Sequence, residues 1–152
     1  MDGITILRRC RRYFEEVEGL SERIERRRAL ASRMTASYGS TGGGHGGAET
    51  DRMSAFVADL EQMEAQLKHR EARYDAERMA AVELMDMCET REANAMELYY
   101  IECRTMDGVA AVMGFTVQHA RRLRKAAEAA INAAGDVSHL LPDWYVDEER
   151  ER

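Results

Sequence analysis

The sequence predicts an all-α protein in which two long helices fold back as an antiparallel, coiled-coil-like hairpin and are followed by a three-helix module. Three observations predict it. The chain of 152 residues has one proline, 7% aromatic and 33% charged residues, the balance of helices that each bury one apolar stripe. Apolar residues recur at three- and four-residue spacing on both sides of a glycine-rich connector. Nearer the C-terminal end, two threonines and a glycine stand where two short, closely crossing helices need caps and a turn.

In the first helix the stripe runs through Leu7, Cys10, Phe14, Val17, Ile24, Ala31 and Met34. The connector, YGSTGGGHGG from Tyr38 to Gly47, holds six of the eleven glycines and is assigned as a loop over 38–50, since glycine makes helix costly. It is not a phosphate-cradling loop, because Ala48, Glu49 and Thr50 stand where Lys-Ser/Thr would be needed. The second helix carries Met53, Phe56, Leu60, Met63, Leu67, Tyr74, Ala81 and Cys88 in an a/d-like repeat that Arg70 and Glu77 interrupt. Helices of about 30 and 38 residues follow, and residues 1–90 form the expected first domain. Their methionines read as core. The arginines of Arg8–Arg12 and Glu25–Arg28 have two readings, a nucleic-acid contact and a solvated face, and the solvated face is favoured because acids between them and an acidic second helix can pair with them.

From about Arg91 the repeat fades into three shorter elements, expected to form a domain over 91–135. Thr105 and Thr116 are predicted N-caps, Gly114 the left-handed turn residue, and Gly135 the stop. Ala110, four residues before Gly114, is small enough for two helices to cross over it, as a helix-turn-helix requires. Val109, Met113, Phe115, Ala120 and Leu123 are expected on the inner face. That leaves Gln118, His119, Arg121, Arg122 and Lys125 pointing outward from a helix over 117–134.

The charge is local. The chain as a whole carries −6, yet no acidic residue lies between Gly108 and Ala127, and four cations fall within positions 121–125. Arginine matches guanine, glutamine matches adenine, and lysine or threonine meets phosphate, so this helix has the chemistry of a major-groove reader. Thr116, Gln118, His119, Arg121, Arg122, Arg124, Lys125 and Arg104 are the candidate DNA-binding residues. Residues 136–152 read as an acidic tail. Within it Trp144, Tyr145 and Val146 are expected to dock on the preceding module, and the acids after Asp147 to shield the basic helix.

Other chemistries find no support. Cys10, Cys88 and Cys103 lack Cys-x-x-Cys spacing, and His45, His69, His119 and His139 form no ligand pair. The cysteines read as reduced core residues. No nucleophile–base pair or carboxylate pair can be assembled, so neither enzymatic activity nor a cofactor is expected. With no apolar run long enough to span a bilayer, a cytoplasmic protein without a membrane partner is expected.

The stretch MELYYIECRTMDGVAAVMGFTVQHARRLRKAAEAAI resembles region 4 of sigma-70-type factors. With the helical hairpin and the Ser/Thr- and Gly-rich segment LASRMTASYGSTGGGHGG before it, the chain is similar to ArpU-type phage transcriptional regulators. The resemblance implies sequence-specific binding of double-stranded DNA in control of late or packaging-linked phage genes in the host cytoplasm. It implies no enzymatic activity. A second copy of the chain, as one way to bury the two long stripes, and host RNA polymerase, as a partner for an exposed Trp144 segment, are the further candidate partners, although no sigma-like polymerase-binding region is recognisable. Three positions depart from the pattern: Gly108 where an acid is usual, Met106 where an aromatic is usual, and Ala120 where a branched residue is usual. Two other readings fit the same sequence, a small terminase-like DNA-packaging protein and a coiled-coil interaction protein that binds no DNA.

Overall fold

A computed structural model of the chain describes residues 1–38 and 46–151. The protein is all-α. Its helices are α1 (Gly3–Tyr38), α2 (Gly46–Met85), α3 (Thr90–Met96), α4 (Met106–Met113), α5 (Val117–Ala133) and α6 (Asp143–Arg150), with a π-helical turn at Glu97–Ile101 and a 3-10 turn at Ser138–Leu140. The described residues contain no β-strand, only an isolated bridge between Asp2 and Asp136. The two long helices run for 36 and 40 residues. Part of the expected connector over 38–50 is therefore helical: α1 reaches Tyr38 and α2 begins at Gly46, because helix-forming residues resume directly after the last glycine pair. The rest of that loop, 39–45, lies outside the described residues.

The chain forms two compact units, Met1–Glu15 with Ala72–Arg152, and Glu16–Glu71. Both long helices are thus divided between the two units. The first turns of α1 and the last turns of α2 belong with the C-terminal helices, because their apolar stripes are covered there.

In the unit Glu16–Glu71, Leu20 and Ile24 are buried, while Met53, Phe56, Leu60, Met63 and Leu67 are half-buried. Ion pairs link the two helices in antiparallel sense: Glu16 with Arg70 at 3.3 Å, Arg28 with Glu64 at 2.7 Å, and Arg27 with Asp59. Arg70, an interruption of the apolar repeat, is thereby accounted for. Pairs this exposed add little stability each but favour one register.

The larger unit has a core that includes Leu7, Cys10, Leu84, Met96, Ile131 and Tyr145. Gly3 lies so close to α5 that a Cβ there would overlap the γ2 methyl of Ile131. Of the cysteines only Cys10 is fully buried; Cys88 and Cys103 are half-buried. Burial pushes the Cys10 thiol up to about 12, so it stays protonated and inert.

Within the acidic segment the described residues 136–151 are anchored through α6. Tyr145 of α6 is fully buried and its hydroxyl donates to Glu77 of α2, the second interruption of the repeat. Arg73, 1% exposed, donates to the Tyr13 hydroxyl at 3.1 Å, to Glu148 at 2.7 Å and to Glu149. Arg9 reaches Glu149 at 2.6 Å and the Tyr145 hydroxyl at 3.3 Å. Glu148 and Glu149 therefore pair with Arg9 of α1 and Arg73 of α2, where a buried guanidinium demands anions, and not with α5. Trp144 is the exposed member of the aromatic pair, at 41%, since consecutive helical residues point about 100° apart and Tyr145 takes the inward direction.

Glu77 is fully buried, and its second oxygen has no hydrogen-bond partner among the described residues. Burial pushes its carboxyl up to about 7, against the opposing pull of the Tyr145 hydroxyl and of Arg9, Arg73 and Arg12. The folded state thus holds this proton more tightly than the unfolded chain does. Its stabilising effect is full below about pH 4.5 and is lost as pH rises through about 7. In Glu77→Gln that loss should vanish, leaving the variant more stable than the parent by on the order of 2–3 kcal/mol at pH 8 and close to it at pH 4.5. Denaturant titrations of both proteins across this range measure the difference.

Candidate nucleic-acid interface

The surface around α5 is built by a sequence of marked joints. Thr105 adopts extended backbone before α4, and its hydroxyl accepts from the Gly108 amide at 3.2 Å; Thr116 does the same for the His119 amide of α5, also at 3.2 Å. Each cap satisfies one otherwise unpaired amide of a first turn. Between them Gly114 closes α4 at φ 68° and ψ 31°, in the left-handed region, and the Phe115 amide returns to the Ala110 carbonyl at 3.0 Å. Ala95, Val109, Ala110 and Ala120 form the buried cluster under this turn, with Met113 and Leu123 packed against it. Small side chains at 95, 110 and 120 let α3, α4 and α5 approach closely.

Phe115 was expected in that core and is not. It is half-buried and, with Leu98, Val112 and Met113, lines a groove of about 460 Å³. Its ring meets the edge of His119 at 4.6 Å between centroids. His119 is accordingly half-buried beside Phe115, where an outward-pointing side chain was expected.

Four of the candidate residues share one exposed face of α5: Gln118, Arg121, Arg122 and Lys125, at spacings that place them within about two turns on one side. None of the four has a hydrogen bond or ion pair among the described residues. Thr116 is exposed at the start of the helix, its hydroxyl engaged as the cap. Ala134 follows as the C-cap and Gly135 sits at φ 74°, so the helix expected over 117–134 has Ala133 as its last residue.

Arg124 and Arg104 have intramolecular partners. Arg124 stands three and four residues from the buried Ala127 and Ala120, so it turns inward. Its guanidinium lies 4.6 Å from the Tyr99 ring centre and 3.2 Å from the Glu128 carboxylate. Glu128 also accepts from the Tyr100 hydroxyl at 2.7 Å. Arg124 is therefore a structural residue of the module. Arg104 is exposed, but its side chain is paired with Glu102 at 2.7 Å.

A residue outside the candidate set completes the joint. After the π-helical turn the chain reverses at Cys103, which holds φ 54°, an uncommon conformation for a non-glycine residue. The reversal aims several carbonyls at Arg11 of α1, which donates to Tyr99 at 2.7 Å, Arg104 at 3.1 Å and Cys103 at 3.4 Å. Arg11 also stacks on Tyr99, 4.3 Å from the ring centre. Arg11 is thus not part of a purely solvated face. No sequence signal singles it out from its three arginine neighbours, since its partners lie about ninety residues away.

Among the described residues no three His, Cys, Asp or Glu side chains gather as a metal site, and no helix is long and apolar enough to cross a membrane. No family model, curated protein or solved structure matches this chain.

Two substitutions test this packing in opposite directions. At Gly108 a Cβ would meet the Thr105 hydroxyl oxygen at 3.4 Å and the Arg104 Cβ at 3.6 Å, ordinary contacts, so Gly108→Ala should stabilise the protein by about 0.5–1 kcal/mol through helix propensity. Ala110→Glu would overfill the helix crossing and bury an unpaired charge, and should abolish cooperative melting of the module. Thermal denaturation followed by circular dichroism reads both.

Proposed function

We propose that this protein is a sequence-specific DNA-binding transcriptional regulator whose α4 and α5 act as a helix-turn-helix at the end of a helical hairpin, with α5 as the reading helix. The observation that carries this reading is the exposed face of Gln118, Arg121, Arg122 and Lys125, which has no hydrogen bond or ion pair among the described residues, whereas arginines such as Arg9, Arg28, Arg73 and Arg124 are paired. An anionic partner with hydrogen-bonding edges suits such a face, and duplex DNA offers both. Gln118, Arg121 and Arg122 lie in the first two turns, within reach of base edges; Lys125 follows and meets phosphate. Thr116 and the α5 amino terminus add donors for a neighbouring phosphate. Arg124 and His119 act indirectly, by holding the helix. The likeness to ArpU-type regulators and to sigma region 4 supports phage late-gene promoters as the targets, host RNA polymerase as the partner at those promoters, and a role without catalysis.

Selection of bound fragments from the source genome at two salt concentrations tests both binding and specificity. On the selected site Arg122→Ala or Gln118→Ala should lose about 1–3 kcal/mol, and much less on random DNA. Lys125→Ala should weaken both duplexes alike and flatten the salt slope by about one. Equal losses on both duplexes for all three variants would reduce α5 to an electrostatic clamp and overturn the sequence-specific reading.

A further inference from the structure

We infer that helix α1 carries a second DNA contact, in which Arg8 engages a phosphate flanking the site read by α5. The inference rests on the DNA-binding reading above and extends it to a surface far away in sequence. Its basis is the joint at Tyr99. One aromatic ring carries the guanidinium of Arg124 from α5 at 4.6 Å and that of Arg11 from α1 at 4.3 Å. Arg121 precedes Arg124 by one turn on α5, and Arg8 precedes Arg11 by one turn on α1. Arg121 and Arg8 thus each stand one helical turn from a guanidinium held on the same ring.

The three carbonyl contacts from the Cys103 reversal lock Arg11 in place, so the spacing between the two helices is set by the fold. Three acids at this joint have partners: Glu102 with Arg104, Glu128 with Arg124 and Tyr100, and Glu15 within 4.0 Å of Arg11. Arg9, which points the other way, is consumed by Glu149 and Tyr145. Arg8 is different. It is exposed, with no hydrogen bond or ion pair among the described residues, and no core contact explains a cation there. A backbone-tracking contact needs charge at a fixed offset from the reading helix, which Arg8 provides.

The test compares two duplexes centred on the selected site, one of about 12 base pairs, little more than a helical turn, and one of about 30. Arg8→Gln should lose several-fold affinity for the long duplex at low salt and flatten its salt slope by about one, while binding the short duplex as the parent does. Arg8→Lys, which keeps the charge, should restore the long-duplex affinity. Unchanged binding of Arg8→Gln to the long duplex overturns the inference, as does an equal loss on both duplexes. If the parent protein binds neither duplex in a salt-dependent way, the DNA-binding reading itself fails, an outcome distinct from either of these.

Discussion

The larger unit depends on one buried cation. Arg73 sits almost wholly out of water on α2, and a guanidinium in that position is tolerable only with several good acceptors around it. Those acceptors come from two other elements: the Tyr13 hydroxyl from α1, and the carboxylates of Glu148 and Glu149 from α6. The Tyr145 ring lies 4.2 Å from the same guanidinium, and its hydroxyl continues the network to Glu77. Meeting the needs of one side chain therefore docks α6 and aligns the ends of both long helices. Removing any single partner leaves a buried charge short of acceptors, a heavier loss than an exposed ion pair would cause.

Charge pairing also separates framework from interface. Where arginines hold the fold together they are matched: Arg9 and Arg73 with α6, Arg27 and Arg28 with α2, Arg124 with Glu128. The outer face of α5 is the contrast, with its cations left to solvent. The net charge of −6 conceals this division, since many of the acids are consumed by the framework. Potential at a binding face is a local property, and an acidic protein presents a basic surface wherever its acids are spent elsewhere.

Features specified by near neighbours were legible in the sequence. The caps at Thr105 and Thr116, the left-handed Gly114 and the small Ala110 all follow from offsets of a few residues, and each occupies its expected place. The all-helical class was legible for the same reason, through the three- and four-residue spacing. What escaped was set by distant partners. Tyr145 and Glu77 are 68 positions apart, Arg9 and Glu149 are 140 apart, and Arg11 meets Tyr99 across 88; no local pattern encodes such meetings. The charge of residues 136–152 pointed to a tail because the buried arginine that recruits it was not recognised. Arg124 was included among the DNA-binding candidates for its charge, although its spacing from Ala120 and Ala127 already placed it at the margin of the core.

The path of the chain through its two units bears on how the protein reaches this state. Helices α3, α4 and α5 meet one another within a short stretch of sequence, so their contacts close small loops. The polar joint is the reverse, because α1 meets α2 and α6 only after the intervening segment 16–71 has been traversed. Loop-closure entropy makes such distant pairings late and slow compared with local ones. On refolding, the compact helical module around Ala110 would then assemble before α1 and α6 lock onto Arg73, so the exposed cationic face of α5 would be formed before the joint that braces it.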